Sequence, residues 1–499
     1  MENIIFGVIT VIICSIGYFF SWKYYKQNNF NIAVILLVLC GLLIYTYVSA
    51  DFFLHIWDER YHALVAKNLI NHPLVPTLYD NPILPYDYNN WVGNHVWLHK
   101  QPVPLWLMAC SMNVFGINEI ALRIPSIIMS SIGIWLTYEI GKYLFDKKVG
   151  FFAAFLFSIN GLIIELTGGR VATDHIDIAF MFFILLSIYF IIKFIKGNKA
   201  LFTILIGISI GAAILTKWLT GLIVLPIWIL LVVNSNCCKL KIVFTHFVLL
   251  ITTIAVIAIP WQLYIFSEFP LEAVYESNFN YRHFTEALDG QTGSIFYFIE
   301  SIRINYGELI YLPLIWFFWK TLKNYRDLNR LVLSCWFLVP LIIFSFARTK
   351  MQGYLLFTAP ALFIITSEFY FMLIEYQKEH KFKWLFKIIL ILLVALPIRY
   401  GIERIKPFEK RDRNPQWVLD LKELNNENIE KGVLLNYKNP IEAMFYTNLT
   451  TYSYIPKKET IEELIDLGYT VIINEGEVPK QIATMEGVLL KRLTVSNRK

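Results

Sequence analysis

The chain has 499 residues, of which 57% are hydrophobic and 16% charged, and its formal net charge is +6. Soluble globular proteins carry about 25% charged residues, so this composition excludes that class and indicates that most of the chain lies in lipid. In a membrane protein a surplus of cations follows from topology, and we therefore expect no nucleic-acid partner.

Apolar runs long enough to cross a bilayer, roughly 20 residues each, follow one another along the first 400 residues. In chain order, twelve candidate spans lie near 3–21, 32–50, 121–145, 149–167, 175–196, 200–216, 219–236, 242–266, 294–319, 329–346, 353–375 and 384–398. The run 103–116 is either a thirteenth span or an interfacial helix. The first run lacks the basic start and the cleavage site of a signal peptide, so we expect it to be retained.

Lysine and arginine are distributed unevenly between alternate loops. The loops of one side, with the adjoining span ends, hold eighteen of them, whereas the short loops of the other side hold four, Arg170, Lys217, Arg348 and Lys350. Because basic residues accumulate on the cytoplasmic side of membrane proteins, the first set is predicted to be cytoplasmic. Both termini and the segments 51–103 and 267–293 are then predicted to lie outside.

The composition changes beyond residue 400, where charged residues become frequent. Short β-like runs at 432–436, 451–455 and 469–474 alternate with helix-like runs, and an amphipathic helix is predicted over 457–467, ending at Gly468. The sequence therefore predicts a transmembrane catalytic domain over 1–400, with an outer loop at 51–103, and a small extracytoplasmic α/β domain over 401–499.

The four outward cations, together with Lys100 at the end of the long outer segment, run against the charge bias of the other loops. A lipid phosphate at the outer leaflet would account for them, since arginine and lysine are suited to phosphate binding. The alternative is that each side chain reaches a lipid headgroup from an ordinary position near a span end.

Carboxylates occur on the same predicted face. Asp58 and Glu59 follow the span 32–50 closely, and Asp174 and Asp177 have the i, i+3 spacing that places two side chains on one helix face. They could form ion pairs with the cations. They could also include a general base that deprotonates an acceptor hydroxyl while cations stabilise a departing phosphate.

Several short motifs follow one another in a characteristic order. They are Trp57-Asp58-Glu59-Arg60-Tyr61-His62, His99-Lys100-Gln101-Pro102, Leu122-Arg123-Ile124-Pro125, Gly169-Arg170-Val171-Ala172-Thr173-Asp174, Leu215-Thr216-Lys217, Arg282-His283-Phe284 and Lys350-Met351-Gln352-Gly353-Tyr354. Over roughly residues 32–375 their order and topology resemble those of the GT-C glycosyltransferases that use polyprenyl-phosphate sugars, the superfamily of aminoarabinose transferases and protein mannosyltransferases. The resemblance implies a polytopic α-helical membrane protein of GT-C type with about 12–13 transmembrane helices.

The resemblance also implies roles for individual residues. Asp58 would be the base, Glu59 would assist or orient it, and Asp174 would be the second-loop carboxylate, with Asp177 competing for that role. The donor phosphate would be held by Lys100, Arg170, Lys350, Arg348 and Tyr354.

Two departures from the family pattern affect the lysine motif. Gln101 interrupts Lys-Pro-Pro, and His99 stands where some relatives have an acidic residue near a divalent ion. His99 and His283 could replace such ligands, so a divalent metal ion is an open alternative, although two histidines without tight spacing are weak evidence for a metal site.

The resemblance therefore implies an inverting glycosyltransferase in the bacterial inner (plasma) membrane, acting on the periplasmic side. It would use a polyprenyl-phosphate sugar donor and a lipid, protein or glycan acceptor among membrane lipids. The alternatives are a transporter or flippase of lipid-linked glycans, or another lipid-linked glycan enzyme such as a polymerase or ligase.

Overall fold

The computed structural model describes residues 2–235, 239–379 and 382–496. The end of the predicted span 219–236 lies outside these residues. Contacts between Cα atoms divide the chain into two compact units. The first unit contains the chain up to Ser49, Lys100–Pro104 and Pro125–Lys410, and the second contains Ala50–His99, Leu105–Ile124 and the chain from Arg411 onward.

Helices make up most of the first unit and are the main regular structure of the second. The helices of the first half are α1 (Glu2–Lys26), α2 (Phe30–Ser49), α3 (Asp58–Leu69), α4 (Pro102–Phe115), α5 (Glu119–Leu144), α6 (Lys147–Ile159), α7 (Gly161–Thr167), α8 (Asp174–Gly197), α9 (Ala200–Lys217), α10 (Val224–Ser235) and α11 (Leu240–Glu268). Those of the second half are α12 (Pro270–Thr285), α13 (Tyr297–Tyr306), α14 (Tyr311–Lys323), α15 (Leu328–Phe346), α16 (Ala359–Glu379), α17 (Lys383–Ile405), α18 (Gln416–Asn425), α19 (Pro440–Tyr446), α20 (Lys458–Asp466) and α21 (Lys480–Ala483). Short 3₁₀ helices occupy Trp218–Ile223, Glu308–Ile310 and Gln352–Thr358.

Nine helices within the described residues are long and apolar enough to cross a membrane, and the bent pair α6–α7 would make a tenth. The count is lower than the predicted twelve for identifiable reasons. The runs 200–216 and 219–236 count as one helical stretch, Ala200–Ser235, in which the 3₁₀ helix Trp218–Ile223 joins α9 to α10 without a loop. The run 294–319 is divided at Gly307, whose φ of 102° is incompatible with a continuing helix. The run 103–116, the possible thirteenth span, forms helix α4. With 14 residues this helix is about 21 Å long and too short to span the bilayer alone.

Asn160 explains the 54° bend between α6 and α7. Its extended backbone ends α6, and its side-chain oxygen accepts a hydrogen bond from the amide of Ile163 at 3.1 Å, which caps α7. Its side-chain amide donates to the carbonyl of Asn305 at 2.8 Å. The polar break inside an apolar run is therefore fully hydrogen-bonded.

The second unit contains a four-stranded parallel sheet with strand order β2-β1-β3-β4. The strands are β1 (Gly432–Leu435), β2 (Thr450–Thr451), β3 (Thr470–Asn474) and β4 (Val488–Lys491). In this sheet, Val433 of β1 lies opposite Thr450 of β2 and Val471 of β3, and Val471 lies opposite Val488 of β4. Strands β1 and β3 and helix α20 lie where the sequence predicts them, whereas β2 overlaps the predicted run 451–455 only at Thr451.

The segment 50–99 shares one hydrophobic core with the C-terminal sheet inside the second unit. Lys67 of α3 donates to the carbonyls of Met444 (2.8 Å), Phe445 (3.0 Å) and Thr447 (2.8 Å) at the end of α19, which is a favourable place for a cation. The domain boundary predicted at 400/401 stays a prediction, and the contacts separate the units at 410/411.

Candidate active site

The acidic motif begins helix α3 in the second unit, where the N-terminal dipole favours carboxylates. Glu59 is fully buried and its two oxygens accept from the Arg123 guanidinium at 2.6 and 2.9 Å. The backbone amide of His55 also donates to Glu59, at 2.7 Å. Asp58 is half-buried. Glu59 therefore fixes the start of α3, and Asp58 is the more accessible carboxylate of the two.

A second buried carboxylate, Asp51, reinforces this region and was not expected from the sequence. Its oxygens lie 2.9 Å from Arg411, 3.7 Å from Arg413 and 3.5 Å from the His55 ring. Burial lowers the pKa of His55, so its imidazole is neutral at neutral pH. The two arginines that pair with Asp51 lie some 360 positions away along the chain. No local motif could have indicated them.

The histidines considered as metal ligands have other contacts. The His99 ring stacks on Trp91, with ring centres 4.3 Å apart and planes at 4°, and His283 Nδ1 lies 2.9 Å from the Phe279 carbonyl. The described ranges contain no group of three or more His, Cys, Asp or Glu side chains able to hold a metal ion. The geometry of the two histidines therefore does not support the metal prediction.

In the first unit, three separate motifs meet around Asp177. Its carboxylate forms an ion pair with Lys217 and accepts a hydrogen bond from the Thr173 hydroxyl. The Lys217 ammonium lies 4.7 Å from the centre of the Tyr354 ring. A Cβ on Gly353 would lie 2.2 Å from Asp177 Oδ2, so only glycine fits against this carboxylate.

The backbone around this cluster is strained. Thr173 (φ 65°), Asp174 (φ 20°) and Trp218 (φ 53°) are non-glycine residues in the left-handed region. Such residues persist where the surrounding structure holds them, and they concentrate at functional sites. Asp174, fully buried at the start of α8, lies within this strained turn, so both predicted second-loop carboxylates belong to the same local structure.

The other predicted phosphate ligands lie in distinct surroundings. Arg170 donates to the carbonyls of Val48 (3.0 Å) and Ile405 (3.4 Å), and Arg348 is exposed. Lys350 is buried, and its ammonium donates to the carbonyls of Phe344, Ser345 and Ala347 at 2.5–3.0 Å, where α15 ends. Burial, with a contribution from Arg348, lowers the pKa of Lys350. A phosphate at Lys350 would have to compete with these carbonyls.

The end of α12 is hydrogen-bonded to the segment that carries these cations. The amides of Arg348, Thr349 and Lys350 donate to the carbonyls of Phe284 (3.2 Å), His283 (3.0 Å) and Gln291 (3.1 Å), respectively. Helix α12 thereby positions His283 beside the motif that begins at Lys350.

Helix α12 also carries a buried carboxylate that sequence reasoning missed. Glu276 is 2% exposed and lies within the electrostatic reach of Lys100 and His283. Burial raises the pKa of Glu276 to about 7, against the opposing effect of these two groups. The sequence pattern could have indicated Glu276, because it shares the buried face of the amphipathic helix α12 with the apolar residues Ala273 and Phe279.

The fold and the motif segments define a polytopic membrane protein of the GT-C fold. Comparison with known proteins confirms the predicted resemblance to GT-C proteins that use polyprenyl-phosphate sugars. Residues 99–264 match the family model described as dolichyl-phosphate-mannose-protein mannosyltransferase.

The chain is also similar to curated relatives and, in fold, to a solved structure. The chain is 26% identical over 341 residues to an uncharacterized protein of Aquifex aeolicus, covering 67% of this chain and 63% of the relative. It is 23% identical over 281 residues to undecaprenyl phosphate-alpha-4-amino-4-deoxy-L-arabinose arabinosyl transferase 1 of Pseudomonas fluorescens, covering 54% of this chain and 48% of the relative. The chain thus spans about half to two thirds of these relatives. ArnT from Cupriavidus metallidurans bound to undecaprenyl phosphate matches with a TM-score of 0.57 and 15% identity, covering 87% of this chain and 88% of that one.

Proposed function

We propose that this protein is an inverting glycosyltransferase that moves a sugar from a polyprenyl-phosphate donor to a lipid, protein or glycan acceptor on the non-cytoplasmic face of the bacterial inner membrane. The observation that carries the proposal is the cluster of buried Asp177 and Tyr354 with half-buried Lys217. Three motif segments that are far apart in sequence supply it, and strained backbone flanks it. The similarity to an arabinosyl transferase and to an undecaprenyl-phosphate-bound ArnT indicates the same chemical class of donor.

The chemistry assigns a role to each group. Asp58 takes the proton from an acceptor hydroxyl, and Glu59 orients the helix turn that carries Asp58. The hydroxyl oxygen attacks the anomeric carbon as the bond from that carbon to the phosphate oxygen breaks, which inverts the centre. Asp174 or Asp177 is the second-loop carboxylate and positions the cations.

The phosphate leaves with an additional negative charge. Lys100, Arg170, Lys350 and Arg348, with the Tyr354 hydroxyl, stabilise that charge more strongly in the transition state than in the donor. Because the polyprenyl chain stays in the membrane, the leaving group remains at the lipid surface where these cations are predicted to lie.

Release of free polyprenyl phosphate tests the proposal. The purified chain in lipid nanodiscs is incubated with candidate polyprenyl-phosphate sugars and a lipid, peptide or glycan acceptor that carries a free hydroxyl, and the free phosphate lipid is measured. Loss of the base in Asp58→Asn should abolish turnover, by about 100-fold or more, and Lys100→Ala should raise the KM for the donor. Lys458→Ala, which removes one partner of an exposed ion pair with Glu462, is the control and should retain activity. Movement of the intact lipid-linked sugar across the bilayer without phosphate release would instead favour a flippase.

A further inference from the structure

Glu276 has no role in the chemistry above, although it is placed among groups that do. It lies on the inward face of α12 with Ala273 and Phe279, and it is 2% exposed. Glutamate is rarely buried unless it is paired. A buried carboxylate on this helix therefore calls for a cationic neighbour.

The chain segment around Lys100 is fixed next to the helical corner that leads into α12. The side-chain amide of Gln262, near the end of α11, donates to the side-chain oxygen of Gln101 at 2.9 Å. Helix α12 starts at Pro270, directly after α11 ends. Gln101, the residue that departs from the Lys-Pro-Pro pattern, thus fixes the position next to Lys100 against α11, and Lys100 acts electrostatically on Glu276 of α12.

The far end of α12 is fixed as well. Carbonyls of its last turn and of the segment that follows accept backbone hydrogen bonds from the amides of residues 348–350, and the Thr349 hydroxyl donates to the Glu286 carbonyl at 2.8 Å. Glu276 and His283 are seven residues apart and so lie on one face of the helix, two turns from each other. The helix therefore spans the distance between the Lys100 segment and the Lys350 segment with Glu276 toward the former.

We propose that Glu276 is the counter-ion of Lys100 when the site is empty and that its carboxylate competes with the donor phosphate for this lysine. This inference rests on the proposed function, in which Lys100 binds the phosphate. It makes Glu276 a positioning residue that weakens the binding of anionic lipid and thereby favours release of the charged product.

The competition depends on whether Glu276 is ionised. The charged groups that act on Glu276 are Lys100 before α4 and His283 on α12, and Asp289 after α12 acts in turn on His283. Because the pKa of Glu276 is raised to about 7, its carboxyl is mostly neutral at about pH 6 and mostly ionised at about pH 8. Burial lowers the pKa of His283 below its usual value, which favours the neutral imidazole. Removing the Glu276 charge should therefore change the affinity for the phosphate lipid at about pH 8, where the carboxyl is mostly ionised, and not at about pH 6.

The experiment measures the affinity of the full chain in nanodiscs for undecaprenyl phosphate, with neutral undecaprenol as the reference, by isothermal titration calorimetry. Glu276→Gln should bind the phosphate lipid about fivefold more tightly than the wild type at about pH 8 and equally well at about pH 6. The titration of the phosphate itself is common to both proteins and cancels in the ratio. Glu276→Asp retains a titratable carboxyl and should restore the wild-type pH dependence. Glu272→Gln, one turn earlier on the same helix, is the matched control and should behave as the wild type.

A double-mutant cycle with Lys100→Met isolates the pair. The effect of Glu276→Gln should disappear when the lysine is absent. Equal affinity of wild type and Glu276→Gln at both pH values, or an undiminished effect in the Lys100→Met background, would overturn the counter-ion role while leaving the proposed function intact. If the wild type does not distinguish undecaprenyl phosphate from undecaprenol, the proposed function and this inference both fall.

Discussion

Asp58 and Glu59 are adjacent carboxylates with different surroundings. Glu59 is fully buried and receives three hydrogen bonds, two of them from the equally buried Arg123. Asp58 is half-buried at the first position of the same helix. A residue that must meet an acceptor hydroxyl needs access, and a residue that fixes the backbone does not. Asp58 is therefore the carboxylate suited to proton transfer, and Glu59 is the one that holds the start of the helix in place.

This division predicts distinct effects on stability. Glu59→Gln leaves the Arg123 charge buried without its carboxylate, which should destabilise the protein by about 3–5 kcal/mol. Asp58→Asn should leave stability nearly unchanged while removing turnover. Thermal unfolding of both variants in the same detergent measures the difference, and an unchanged melting temperature for Glu59→Gln would refute the structural role.

At the scale of elements, the 3₁₀ helix Gln352–Thr358 and the start of α8 form one packed pair. Gly353 is the contact point, because a Cβ there would lie 2.2 Å from Asp177 Oδ2 and 2.7 Å from Thr173 Oγ1. Both distances are much shorter than a van der Waals contact, so a Cβ at this position would force either the 3₁₀ helix or the start of α8 to move. The ion pair between Asp177 and Lys217 depends on this close approach.

Gly353→Ala should therefore displace the Asp177 carboxylate by about 1 Å and lower turnover by about 100-fold. Gly197→Ala is the matched control, since it lies at the other end of α8 and its Cβ would meet its nearest neighbour at 3.9 Å. Steady-state kinetics of the two variants make the comparison. Full activity of Gly353→Ala would mean that the Asp177 cluster does not need its observed geometry.

The same elements show how far sequence reasoning reaches. Local patterns predicted the start of α8, helix α20 with Gly468 (φ 80°) just after its end, and strands β1 and β3, because hydropathy, capping and periodicity act over a few residues. They did not predict Glu276, the Asp51 partners Arg411 and Arg413, or the fit of Gly353 against Asp177. Those contacts join segments tens to hundreds of residues apart, and hydropathy alone could not distinguish a continuous span at 294–319 from one broken at Gly307.

At the scale of the whole molecule, the proposal depends on orientation in the membrane. The loops between alternate spans carry eighteen basic residues on one side and four on the other, and each cation left on the translocated side opposes the usual bias. Four cations retained there need a reason, and a phosphate ligand supplies one. If the orientation were reversed, the same residues would belong to the ordinary cytoplasmic surplus and the argument for a phosphate site would lose its basis.

Labelling of single introduced cysteines tests the predicted orientation of the chain in the membrane. In a variant whose six native cysteines are replaced by alanine, Ser453→Cys near the end of β2 and Asn324→Cys after α14 introduce single thiols at exposed positions. A membrane-impermeant maleimide should label Ser453→Cys in intact cells and Asn324→Cys only after the membrane is opened, because the first position is predicted outside and the second inside. Both should be labelled in detergent, which controls for accessibility. Labelling of Asn324→Cys in intact cells, with Ser453→Cys protected, would reverse the orientation and remove the reason for placing a lipid phosphate beside Lys217 and Lys350.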